Sequence, residues 1–216
     1  METEEVVRSL VNGLTPVRRL PGLGWRSALW TIFALACVCA GTFALGARPD
    51  LAGAIRDPAF LRANALLLLV FVLSARAAFQ LSVPGSDRGA AARMLPLGGL
   101  LLWGCCIACG RSACALPPAP ISIAGLSCAV KLLLLGLAPS LMGFSMLRKA
   151  APLSPGWTGW FALLSPGSLA LLGTRWVCAR EDPLHLFLWH LLPALAAALL
   201  GIYLGRRLLA RPRLRA

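Results

Sequence analysis

The sequence predicts an all-α polytopic membrane protein, a bundle of six transmembrane helices with both termini cytoplasmic. Three observations carry this. The 216 residues are 58% hydrophobic and only 13% charged, with mean hydropathy +0.77, too apolar for a soluble domain to cover its own surface. Runs of about 20 apolar residues, the length that crosses a bilayer, are separated by Pro, Gly and charged residues. With the N-terminus inside, Arg48, Arg56, Arg62, Arg111, Arg175 and Arg180 fall outside and Arg76 and Lys131 fall within spans. The other thirteen of the 21 basic residues are then cytoplasmic. That bias favours an even number of spans. It also reassigns the net charge of +13: the basic residues mark the cytoplasmic side, and no direct nucleic-acid binding is expected.

Residues 1–24 form a cytoplasmic N-terminal segment. Glu2, Glu4 and Glu5 stand where a signal peptide would carry its basic region, so the first span is expected to be retained. Thr3 is placed to cap a short helix with Glu4 and Glu5 in its first turn. Val6, Val7, Leu10, Val11 and Leu14 then share one face at helical spacing. Gly13 weakens the end of this helix and Pro16 stops it. A helix this short is marginal alone and needs a partner, either the membrane surface or another protein.

The transmembrane domain is expected over residues 25–204. Its first span is Trp25–Ala47, closed by Arg48-Pro49-Asp50. The second, Phe60–Leu81, carries Arg76 near its inner end, where the long side chain can snorkel to the headgroups. The third, Met94–Cys109, contains Gly98, Gly99 and Gly104, which permit close helix packing. A loop with Pro117, Pro118 and Pro120 follows. The fourth span is Leu126–Leu147, with Cys128 and Lys131 in its first turns and Pro139 further in. The fifth, Trp157–Trp176, contains Pro166. The sixth, Leu184–Leu204, leads into a basic cytoplasmic tail at 205–216.

Cys128 and Cys178 come at the outer ends of their regions if the spans alternate. As thiolates they can form a disulfide or hold a soft metal ion, and as thiols they can equally be small residues at helix ends. Cys105, Cys106 and Cys109 form a denser cluster, a weak candidate for copper(I) or mercury(II) that reads first as a packing face. Cys37 and Cys39 do not share a helix face. His185 and His190 flank Trp189 but are five residues apart, off a common face, and interfacial hydrogen bonding is the expected role. Glu181 and Asp182 can pair with Arg175 or Arg180 as solvated salt bridges of little energy. There is no glycine-rich phosphate loop, nucleophile elbow or buried carboxylate pair. The chain does not read as an enzyme, and no cofactor is implied.

Several segments then carry a resemblance. They are Leu10…Leu14-Thr15-Pro16-Val17-Arg18-Arg19-Leu20, Arg48-Pro49-Asp50-Leu51…Asp57-Pro58-Ala59-Phe60, Leu81-Ser82-Val83-Pro84-Gly85, Ala151-Pro152-Leu153, and Cys178…Glu181-Asp182-Pro183 with Trp189. In this order they resemble the NrsF family of bacterial six-span membrane proteins, negative regulators of extracytoplasmic-function sigma factors. The resemblance implies a multi-pass protein of the bacterial inner membrane, an anti-sigma factor that holds its sigma factor until stress releases it. It further implies signalling through outward cysteines, one at the start of the fourth span and one before the last, which match Cys128 and Cys178. The sigma-factor contact is expected on Val6, Val7, Leu10, Val11 and Leu14. A soft-metal membrane transporter using Cys105, Cys106 and Cys109 is the alternative. A membrane thiol oxidoreductase is disfavoured because no outer loop holds a Cys-x-x-Cys pair.

Overall fold

The computed structural model describes residues 3–12, 20–86, 89–109 and 123–210. All regular structure among them is helical. Helix α1 covers Thr3–Asn12, with Glu4 and Glu5 in its first turn. Helix α2, Leu23–Leu45, ends at Gly46, whose φ of 83° suits only glycine at this turn. A single helical turn, α3 (Leu51–Ala54), links it to α4, Pro58–Leu81. Asp57 caps α4 by accepting from the Ala59 amide at 2.9 Å, and Pro58 occupies the first turn, where no amide donor is needed. Helix α5 is Ala90–Ala108. A 3-10 turn at Ile123–Gly125 leads into α6, Leu126–Arg148. Helix α7 is Pro155–Val177. Helix α8, Pro183–Leu209, is continuous but contains two π-helical segments, Phe187–Leu191 and Gly205–Leu209.

Among the described residues, four helices are long and apolar enough to cross a membrane: α2, α4, α6 and α8. The sequence predicts six equivalent spans, and the other two differ for separate reasons. The apolar part of α5, Arg93–Ala108, is short. Helix α7 is long enough, but Gly, Ser, Thr, Pro and Arg175 dilute its apolarity. Its place in the bundle explains that composition. It lies in the middle, packed along α4, α8, α6 and α2, and nearly every residue from Phe161 to Arg175 is buried. A helix lined by other helices does not need a lipid-soluble surface. Its small residues admit close neighbours and its hydroxyls find backbone partners: Ser165 donates to the Phe71 carbonyl of α4 at 2.8 Å, and Ser168 to its own Leu164 carbonyl at 2.7 Å. The peripheral helices show the complementary pattern, with Ile32, Leu101, Leu134 and Leu199 exposed. The last helix also runs on to a buried Leu209, past the Leu204 boundary expected for the sixth span.

Two glycine contacts set how the helices meet. Where α7 crosses α8, a Cβ on Gly159 would run into the Gly201 carbonyl, and one on Gly205 into the Pro155 carbonyl. The Gly201-x-x-x-Gly205 spacing is the small-residue pattern of helices in backbone contact. At the same end of the bundle, the buried Trp30 indole lies 5.8 Å from the Phe71 ring and 5.9 Å from Phe79, and donates to the Pro139 carbonyl at 3.0 Å. Arg26 reaches the Met146 carbonyl there. These contacts, with those of the opposite end below, make α2 antiparallel to α6, and α7 antiparallel to α4 and α8.

Candidate functional site

At the end of the bundle away from Arg26, the chain passes from α2 to α3 and from α7 to α8, and an ionic knot ties the two connections together. The Arg48 side chain is 3% exposed. Its Nε and Nη2 donate to the two Asp50 carboxylate oxygens at 2.7 Å each, a bidentate pair. Nη1 reaches the Glu181 carboxylate, Nη2 donates to the Ala179 carbonyl at 3.2 Å, and the Arg48 amide donates to the Trp176 carbonyl at 2.9 Å. The other Glu181 oxygen accepts from Arg175 Nη2 at 2.7 Å. Both guanidiniums lie over the Phe60 ring, Arg48 at 5.6 Å and Arg175 at 4.8 Å. The hydrogen bond from Arg48 holds the Asp50 carboxyl below the usual carboxylate range, and the same bond raises Arg48 further. The pairing of Glu181 with Arg175 and of Asp182 with Arg180 (3.2 Å) is as the sequence suggests. Solvation is the difference: Arg175 is 2% exposed, so its pair with Glu181 is not the weak surface bridge expected.

This knot fixes the segment that carries Cys178, which follows the last turn of α7 and whose amide donates to the Thr174 carbonyl at 2.8 Å. Asp182 starts α8 by accepting from the His185 amide at 2.9 Å. Cys128, in the first turn of α6, is buried, and its Sγ lies 3.5 Å from the Cys178 Sγ. The hydrogen bond shared with Cys128, then burial, raises the Cys178 thiol above its ordinary pKa. The two thiols predicted from sequence are therefore brought together. A Cβ on Gly125 would strike the Trp189 indole, so Gly125 lets α8 pack against the start of α6.

His185 and His190 depart from expectation. At 100° per residue a five-residue spacing puts them about 140° apart. The π segment Phe187–Leu191 widens the turn and returns both to the same side. Their rings meet edge to face at 5.2 Å. His185 Nε2 is 3.5 Å from the Cys178 Sγ, and His190 Nδ1 is 3.1 Å from the Thr174 hydroxyl. Cys128, Cys178, His185 and His190 thus present ligating atoms that all lie within 4.8 Å of one another. The histidine signal was present in the sequence, but a uniform α-helical period hides it.

The remaining predicted residues are elsewhere. Cys105, Cys106 and Cys109 are free and exposed at the end of α5 and do not belong to the converging group. Cys106 and Cys109 line a cavity of about 580 Å³ with Arg48, Phe60, Arg175 and Glu181. Cys37 is half-buried and Cys39 exposed. In α1, Val6 is half-buried while Val7 and Val11 are exposed. Leu10 falls within α1, and Leu14 lies outside the described residues.

Comparison with known proteins gives one consistent answer. The family model described as "Negative regulator of sigma F" (NrsF) matches residues 10–210. The anti-sigma-F factor NrsF of Caulobacter vibrioides (strain NA1000 / CB15N) is 32% identical over 205 residues, which cover 90% of this chain and 89% of that protein. No solved structure matches.

Proposed function

The chain belongs to the NrsF family, negative regulators of sigma F, and on that premise we propose that it is a membrane-embedded anti-sigma factor. It holds an extracytoplasmic-function sigma factor at the bacterial inner membrane and releases it when its outward cysteines are modified. All six long helices cross the bilayer in this reading. Helix α5, at 19 residues, rises about 28 Å, close to the roughly 30 Å of the hydrocarbon core, and α7 is shielded by its neighbours. Six alternating crossings put both termini in the cytoplasm, in accord with the basic residues, and put Cys128 and Cys178 on the periplasmic side, where disulfides persist.

The observation that carries the sensing half is the 3.5 Å separation of the two sulfurs at the end opposite the start of α2. Oxidation by a peroxide takes two electrons and two protons from the thiols and forms the disulfide, with reduction of the peroxide to water. The new bond draws α6 and the α7–α8 connection together. Such a change signals only if the two bundle states bind the sigma factor with different affinity. Moving from 1:99 to 99:1 release requires about 5.5 kcal/mol of difference. The contact is assigned to α1, whose Val7 and Val11 are exposed apolar residues without a described cover.

The test is affinity capture of the tagged full-length protein from gently solubilised membranes, beside a variant lacking residues 2–20. A sigma factor recovered with the first and lost with the second is expected. Recovery with both moves the contact to the inner loops, and recovery with neither removes the anti-sigma reading.

A further inference from the structure

We propose that Cys128, Cys178, His185 and His190 form a four-ligand site for a divalent d10 cation of the zinc class. This names a ligand for the same cysteine pair. It depends on the preceding reading only for the pair's signalling role, and the binding itself needs no sigma factor.

Two ligand separations match a tetrahedral site, and all four ligand atoms lie within 4.8 Å of one another. With Zn–S near 2.3 Å and Zn–N near 2.05 Å, a tetrahedron separates its sulfurs by about 3.8 Å and sulfur from nitrogen by about 3.5 Å. The Cys128–Cys178 sulfurs are 3.5 Å apart, and Cys178 Sγ to His185 Nε2 is 3.5 Å. The four ligands come from three different places, α6, the α7–α8 connection and α8, so the site is a property of the folded bundle and not of a local loop.

The histidine chemistry agrees. The Thr174 hydroxyl has one proton and gives it to the Leu171 carbonyl at 2.9 Å. With that bond made it accepts from His190 Nδ1 at 3.1 Å, a pairing that takes the Nδ1–H tautomer and leaves Nε2 as a bare lone pair. That atom is buried and has no hydrogen-bond partner among the described residues, on a residue that is 0% exposed. A buried imidazole with one nitrogen oriented by a hydroxyl and the other unsatisfied is how a metal-ligating histidine is held. An unsatisfied buried acceptor otherwise destabilises the fold.

Charge also fits. Two thiolates and two neutral imidazoles around a divalent cation make a neutral centre, which a largely buried site tolerates. Binding displaces the two thiol protons to solvent. Two sulfur and two nitrogen donors favour zinc-class ions over magnesium or calcium, which take oxygen.

The experiment is anaerobic titration of the purified full-length protein, free of any histidine tag, with Co²⁺ and then Zn²⁺. One Co²⁺ per chain with thiolate charge-transfer and tetrahedral d–d bands, displaced by Zn²⁺, is expected. His190→Gln and His185→Gln should each weaken binding roughly tenfold or more, while the Cys105→Ser/Cys106→Ser/Cys109→Ser variant should bind as the parent does. Protection of Cys128 and Cys178 from maleimide by Zn²⁺ in the unaltered chain gives a readout that does not depend on a variant folding. No tetrahedral signal, unchanged affinity in both histidine variants, or loss of binding in the Cys105/Cys106/Cys109 variant overturns the proposal.

Discussion

Arg48 and Glu181 are 133 residues apart in the chain and share an ion pair at one end of the bundle. The pair joins the turn after α2 to the turn before α8, and Cys178 sits between Arg175, in the last turn of α7, and Glu181, in that second turn, the two residues that complete the knot. Removing the Arg48 side chain takes its guanidinium from Asp50 and the Ala179 carbonyl and leaves Glu181 with Arg175 alone, so the two connections lose their tie. Arg48→Ala should therefore lower the thermal stability of the solubilised protein and slow oxidative joining of Cys128 to Cys178. An unchanged melting temperature and joining rate would show that the knot is dispensable.

The two thiols are 3.5 Å apart before any chemistry. A Cys128→Ser/Cys178→Ser double variant should keep repression of a sigma-dependent reporter and lose its induction by thiol-reactive stress. Induction at the parental level would take the pair out of the mechanism.

Val7 and Val11 are more than half exposed on α1. Replacing both with Asp leaves the bundle untouched and puts charge on the face assigned to the sigma factor. Capture of the sigma factor should fall at least tenfold, about 1.4 kcal/mol, while the level of the protein in the membrane stays constant. Full capture would place the contact elsewhere.

Gly201 meets Gly159 backbone to backbone. A Gly201→Leu substitution inserts a side chain where none fits, at a cost of roughly 1–3 kcal/mol. A lower unfolding temperature in detergent is expected, whereas Leu199→Ala, at an exposed position on the same helix, should be close to neutral by that measurement.

Asp50 is held below its usual pKa by Arg48. A depressed carboxylate contributes stability that is complete above its unfolded pKa, about 3.9, and is lost as pH falls through the lower folded value. The melting temperature of Asp50→Asn should thus lie below that of the parent at neutral pH and converge with it under acid conditions. A gap that persists at the lowest pH would assign the effect to shape and not to charge.

Much of the bundle was legible in the sequence because its signals are local. The apolar runs of α2, α4, α6 and α8 need no tertiary knowledge. The starts of α4 and α8 lie one or two residues before the expected Phe60 and Leu184, at Pro58 and Pro183 with Asp57 and Asp182 as caps, local signals that the span boundaries passed over. Helix α7 was read as one span among six because hydropathy registers lipid exposure, and a helix enclosed by others is selected for small size instead. The ionic knot was half legible. Glu181 pairs with Arg175 as the spacing suggests, but Arg48 lies too far away in sequence for any local rule to find. The Gly201-x-x-x-Gly205 pattern was visible and went unused. The cysteine pair was found by counting spans, whereas the histidines were set aside by a helical period that α8 does not keep.

The same π segment has an effect at the far end of α8. Widening one turn absorbs an extra residue and changes the rotational phase of everything after it. Removing one residue between His185 and His190 would restore α-helical winding as far as Leu204 and swing Gly201 and Gly205 by about 100° relative to His185. Either the histidines would leave the cysteines or the glycines would leave Gly159. A single surplus residue thus keeps the two ends of one helix in phase, and the length of that stretch is as strictly constrained as the identity of any side chain in it.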